Sequence, residues 1–103
     1  MPAQALVMYG TPADTAIFHQ RYQDEHIAMA RKIPGVRGFR MSKGPINTPV
    51  GPAPYEVIVV LTFDSMDDLQ AGFGSAEGQA AVAHAQEIAT GGLSVYLYES
   101  EDA

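Results

Sequence analysis

His26 is the residue of this chain best suited to moving a proton. It lies on an apolar stripe, Phe18, Tyr22, His26, Met29 and Ile33, whose members recur at helical spacing and therefore share one helix face. An imidazole on that face points toward a core rather than toward water. Desolvation there disfavours its charged form, and the neutral ring can act as a base near neutral pH. The competing reading is a core histidine held by a backbone carbonyl. Tyr22 precedes it by one turn on the same face and could set its hydroxyl beside the ring or a ligand; it reads equally as an amphipathic core aromatic. Asp24 and Glu25 rotate off that face, and Arg21 pairs with them as an ordinary surface charge. His19 falls one position off the stripe, next to Phe18, and His84 lies between two alanines on a late helix. With no carboxylate in convincing register and no cysteine, the three histidines do not spell a metal site, so no metal is expected. No glycine-rich phosphate cradle and no serine in a nucleophile-elbow setting is present.

Composition narrows the classes further. The 103 residues fit one domain spanning 1–103, with 47% hydrophobic and 17% charged residues, enough for one real core. A net charge of −6 argues against nucleic acid, which needs a basic footprint. All six cations fall between Arg21 and Lys43, so residues 1–43 carry +3 and residues 44–103 carry −9. A solvated helix face accounts for this; complementarity between subunits, or capture of an anion by Arg37 or Arg40, is the sharper alternative. No apolar run is long enough to span a membrane, and the start lacks the pattern of a secretory signal. A cytoplasmic protein with no membrane partner is the expectation.

These residues need elements to position them. Ala5 to Tyr9 reads as a strand closed by Gly10, and Asp14 caps a helix that Pro34-Gly35 stops. Val36 to Lys43 is a second strand, with Phe39 and Met41 on one face. Residues 44–54 hold four prolines and two glycines and predict an irregular loop. Tyr55 to Asp64 alternates as a strong strand. Ser65 caps a short helix, Ser75 caps an alanine-rich one, and Leu93 to Glu99 closes the set as a strand. Strand, helix, strand, strand, helices, strand is the split βαβ plan: an α+β, ferredoxin-like sandwich with a four-stranded antiparallel sheet and helices on one face. Its second face should be polar, yet Leu6, Met8, Ile58, Val60, Tyr96 and Tyr98 fall there. A homodimer through that sheet face removes the exposed patch from water.

Five blocks then carry a family resemblance: Tyr22-x-x-x-His26, Ile33-Pro-Gly-Val-Arg-Gly-Phe39, Phe63-Asp-Ser-Met-Asp-Asp-Leu69, Ser75-x-x-Gly78-x-x-Ala81 and Ala89-Thr-Gly-Gly92. Together they resemble the EthD family, named for ethyl tert-butyl ether degradation, within the dimeric α/β-barrel superfamily. The chain departs from the family pattern at Ile27-Ala28-Met29, at His84 and at Ile88. The resemblance implies a homodimer and no dedicated cofactor. It frames the function between cofactor-independent monooxygenases and isomerases that use histidine acid–base chemistry. The resulting expectation is a small enzyme acting on a hydrophobic or aromatic metabolite, with His26 as acid/base and Tyr22 orienting the substrate. Tyr9, Phe18, Met29, Phe39, Tyr55 and Phe63 are the candidate pocket walls. The rival is a non-catalytic dimeric binding or accessory protein serving a neighbouring oxygenase system.

Overall fold

A computed structural model describes residues 1–103. Ala3, Ala5, Val7 and Tyr9 alternate with half-exposed residues along β1 (Ala3–Gly10), turning their side chains to a single buried face. The chain then enters one helical rod in three pieces. The Asp14 carboxylate accepts from the Ile17 amide and opens α1 (Thr15–Arg21). A π-helical turn (Tyr22–His26) follows, in which the Ile27 amide reaches back five residues to the Tyr22 carbonyl, and α2 (Ile27–Arg31) completes the rod. The extra residue of the π turn shifts the stripe expected from a straight helix: after His26 the buried positions are Ala30 and Ile33, and Met29 moves to the half-buried edge.

β2 (Val36–Met41) is followed by a feature that the proline count argued against. Asn47–Thr48 (β3) and Gly51–Pro52 (β4) pair as a minimal hairpin. The Thr48 hydroxyl donates to the Gly51 carbonyl at 2.9 Å and accepts from the Val50 amide at 3.2 Å. Gly51 supplies a φ of 144° that other residues rarely adopt. Proline is tolerated here because both strands are edges. The expectation of irregular structure over 44–54 is corrected to that extent.

β5 (Tyr55–Phe63) buries Val57, Val59, Leu61 and Phe63. Ser65 caps α3 (Met66–Gly74) by accepting from the Asp68 amide, and Ser75 caps α4 (Ala76–Ile88) by accepting from the Gly78 amide. The corner between them is tight, because a Cβ on Gly78 would overlap the Gly72 carbonyl oxygen. β6 (Leu93–Glu99) ends the fold. The main sheet has the order β2-β5-β1-β6, antiparallel throughout, with all the helices packed on one face. The molecule is 18 Å through its thinnest axis, the depth of one sheet and one helical layer.

The uncovered face carries a cross-strand row, Arg40–Val60–Leu6–Tyr96, set by the register of β2, β5, β1 and β6. Its neighbours include Met8, Ile58 and Tyr98. Tyr96 and Tyr98 are 57% and 41% exposed, too much aromatic surface for an ordinary solvent-facing sheet. Arg37 spends its charge on Asp64 at 3.1 Å. No helix is long and apolar enough to cross a membrane.

Candidate functional site

Between the helical layer and the sheet lies a cavity of about 260 Å³. It exists because the helices meet the sheet through small side chains. Ala30, Ala81 and Ala85 stand over Val7, Val59 and Leu61, and their methyl groups leave the space between the layers unfilled. Of the sixteen lining residues fifteen are hydrophobic, and His26 is the exception. It is therefore the one base available to a molecule inside.

Three elements bring the polar edge of this cavity together. Tyr9 comes from the end of β1, Tyr22 and His26 from the two ends of the π turn, and His84 from α4. The Tyr9 hydroxyl lies 3.4 Å from Nε2 of His26. Nδ1 of His26 lies 3.0 Å from Nδ1 of His84, and Nε2 of His84 lies 2.9 Å from a Glu25 carboxylate oxygen. Arg21 holds Glu25 at 3.1 Å and Glu87 at 2.7 Å. The Tyr22 ring packs 5.2 Å from the His26 ring and 5.7 Å from that of Tyr9. His26 is only 6% exposed. Burial, followed by the proximity of His84, drives its pKa down to about 4, so the ring is neutral at pH 7. Burial pushes both the Tyr9 and the Tyr22 phenol well above their ordinary range, so both keep their protons. Hydrogen bonds from Arg21, then from His84, hold the Glu25 carboxyl below its ordinary range and keep it ionised.

Tyr22, His26, Tyr9 and Phe39 all line the cavity. The other expected wall residues do not. Phe18 packs edge-on behind Tyr9 with ring centroids 5.2 Å apart. Phe63 is wholly buried against Phe73. Met29 is displaced by the π turn, and Tyr55 faces a separate polar pocket beside His19, Lys43 and Glu56. Phe18 and Phe63 are excluded because their rings fill the interior, while the cavity opens beneath the small side chains of Ala30, Ala81 and Ala85. His84, expected only as a residue of the late helix, touches His26 directly, and Glu25, expected off the apolar face, reaches it through His84. Glu87, three residues after His84, engages Arg21 instead. The residues His26, His84 and Glu25 form a line rather than a cluster, and no three acidic, histidine or cysteine groups converge as metal ligands.

A ferredoxin-like α+β sandwich with an apolar chamber under its helices is the class that fold and site define. Within that class the chain belongs to the EthD family, whose domain profile matches residues 11–90. It is 30% identical over 95 residues to an uncharacterised 11.0 kDa protein from the thcB-thcC intergenic region of Rhodococcus erythropolis, covering 92% of this chain and 91% of that one. The fold superposes on an EthD family protein of Bacillus halodurans with a TM-score of 0.89 and 25% identity, covering 98% of this chain and 100% of the other. It also superposes on SnoaB, a cofactor-independent oxygenase of Streptomyces nogalater, with a TM-score of 0.71 at 10% identity, covering 99% and 95% of the two chains, a likeness of fold alone. Other solved proteins of this fold are described as dimeric.

Proposed function

We propose that this EthD-family protein is a cytoplasmic, homodimeric, cofactor-independent enzyme that removes a proton from a small hydrophobic or aromatic metabolite, with His26 as the general base. The observation that carries this reading is a neutral imidazole opening onto a cavity otherwise lined by hydrophobic side chains. Deprotonation of an acidic C–H or a phenol is the step that an isomerisation and an oxygen-dependent oxidation have in common. Tyr9 and Tyr22, protonated and on the same wall, supply O–H donors for the oxygen on which charge develops. At about 260 Å³ the cavity falls below the ~300–1,000 Å³ of drug-sized sites, which points to a compact guest of one or two rings. The apolar uncovered face of the sheet, and the dimeric state described for other proteins of the fold, support pairing through Leu6, Val60 and Tyr96.

Proton removal is detected without knowing the final product. Small ketones and phenols, 2-indanone among them, are incubated with the protein in D₂O, and deuterium entering the acidic C–H or ring positions is followed by NMR. Catalysed exchange is expected, with His26→Gln slowing it on the order of 10²–10⁴-fold. Exchange unaffected by His26→Gln contradicts the assignment. The almost uniformly apolar lining also favours a second reading, a dimeric accessory protein that holds its guest; this predicts saturable binding with no exchange.

A further inference from the structure

Two residues with no place on the cavity wall complete a hydrogen-bonded line from it to the surface. Resting on the proton-transfer reading above, we propose that His84 and Glu25 are positioning residues that hold the Nε2 lone pair of His26 toward the cavity and carry the abstracted proton away through Nδ1. With His84 neutral, the line has one self-consistent order of hydrogens. Glu25 as a carboxylate can only accept, so His84 presents its Nε2–H across the 2.9 Å between them. That neutral His84 has a bare Nδ1, 3.0 Å from Nδ1 of His26. Two bare nitrogens repel at that distance, so His26 supplies the hydrogen. Its Nε2 is thereby left bare, and Tyr9 donates to it across a long 3.4 Å, a bond weak enough to yield to a guest. The two imidazoles lie 15° from parallel with centroids 5.2 Å apart. That separation is an N···N hydrogen bond plus a ring radius at each end, so the rings meet edge to edge in one plane, as an N–H···N bond requires, and are not stacked face to face.

The transfer balances. A substrate C–H or O–H bond breaks, its electron pair stays on the substrate, and Nε2 of His26 takes the proton. The Tyr9 O–H turns to the new substrate anion. The proton on Nδ1 of His26 passes to Nδ1 of His84, leaving His26 neutral in its other tautomer. The positive charge then rests on His84, against the Glu25 carboxylate, instead of inside the apolar chamber. His84 is 10% exposed and Glu25 45%, so the line ends where water can collect the proton. The groups facing this line are Tyr9 from β1, Tyr22, Arg21 and Glu25 from the first helical rod, and Glu87 from α4. Arg21 clamps both carboxylates and so fixes the acceptor at its outer end.

The test reads the hydrogens themselves. In ¹⁵N-labelled wild-type protein at pH 7, imidazole ¹H–¹⁵N correlations are expected to show the hydrogen of His26 on Nδ1 and that of His84 on Nε2. In His84→Gln the amide oxygen still accepts from His26, so the His26 tautomer is expected to persist while 2-indanone deuterium exchange falls on the order of 10²-fold. In His84→Leu the acceptor is gone, and both the tautomer preference and the exchange are expected to be lost. Circular dichroism of each variant confirms that it folds. The hydrogen of His26 on Nε2 in the wild type, or exchange unchanged in a folded His84→Gln, overturns the relay. The two readings fail separately. Wild-type protein with the expected tautomers but no exchange keeps this order of hydrogens and removes the enzyme. Exchange that needs His26 but not His84 keeps the enzyme and removes the relay.

Discussion

Burying a histidine in neutral form makes folding depend on pH in a way that can be calculated. The His26 pKa is about 4 in the folded chain against an ordinary 6.5, so between those values the unfolded state binds the extra proton. Stability therefore rises with pH through that window. The penalty is absent above pH 6.5 and complete below pH 4. At about 1.4 kcal/mol per pH unit, the full window corresponds to roughly 3 kcal/mol, and the part between pH 7 and pH 5 to roughly 2 kcal/mol. His26→Gln, which cannot titrate, removes this term while leaving the acidic residues that also lose stability in acid. Urea unfolding of wild type and variant at pH 7 and pH 5, at one fixed protein concentration because the proposed assembly would contribute to stability, isolates the difference. Wild type is expected to lose about 2 kcal/mol more than His26→Gln on acidification. Equal losses would show that the ring is already solvated or charged in the native state, and the reasoning from burial to neutral base would be refuted.

Two further outcomes follow from the layers around the site. Leu6→Asp puts a charge at the middle of the uncovered sheet face, between Val60 and Tyr96; sedimentation equilibrium should show the proposed dimer weakened on the order of 100-fold, about 3 kcal/mol, and an unchanged dimer would place the interface elsewhere. Ala81→Leu projects into the cavity from α4, so thermal melting should find stability within about 1 kcal/mol of wild type while binding of small aromatics is lost, and retained binding would locate the guest outside this chamber.

Much of the fold was legible because short-range rules set it. The alternation in β5, the Asp14, Ser65 and Ser75 caps and the Pro34-Gly35 stop define elements whose order admits few topologies. The face of His26 and Tyr22 was legible for the same reason, since the spacing of the stripe survives as far as the π turn. The π turn itself has no mark in the residue types of Tyr22–His26, and it moves Met29 off the stripe and Ala30 onto it. The roles of His84 and Glu25 were illegible because His84 meets His26 and Glu25 across 58 and 59 residues, through the way α4 lies against the first helical rod. Aromatic residues were a partial guide to the chamber, since Tyr9, Tyr22 and Phe39 line it and Phe18, Tyr55 and Phe63 do not. Phe18 and Phe63 fill the interior, whereas Ala81 and Ala85, which look like mere helix formers, leave it open. The hairpin at Asn47–Pro52 rests on one threonine hydroxyl and one glycine conformation, details that a count of prolines hides.

Titration of the ¹⁵N-labelled protein with 2-indanone, read at the ring nitrogens of His26, tests most directly whether a neutral base shares the chamber with a guest. Saturable shifts at His26 Nε2, with the ring uncharged at pH 7 and the effect abolished in Ala81→Leu, are the predicted result. An imidazole that is protonated at pH 7, or one whose nitrogens do not respond while the ligand binds elsewhere, contradicts the account.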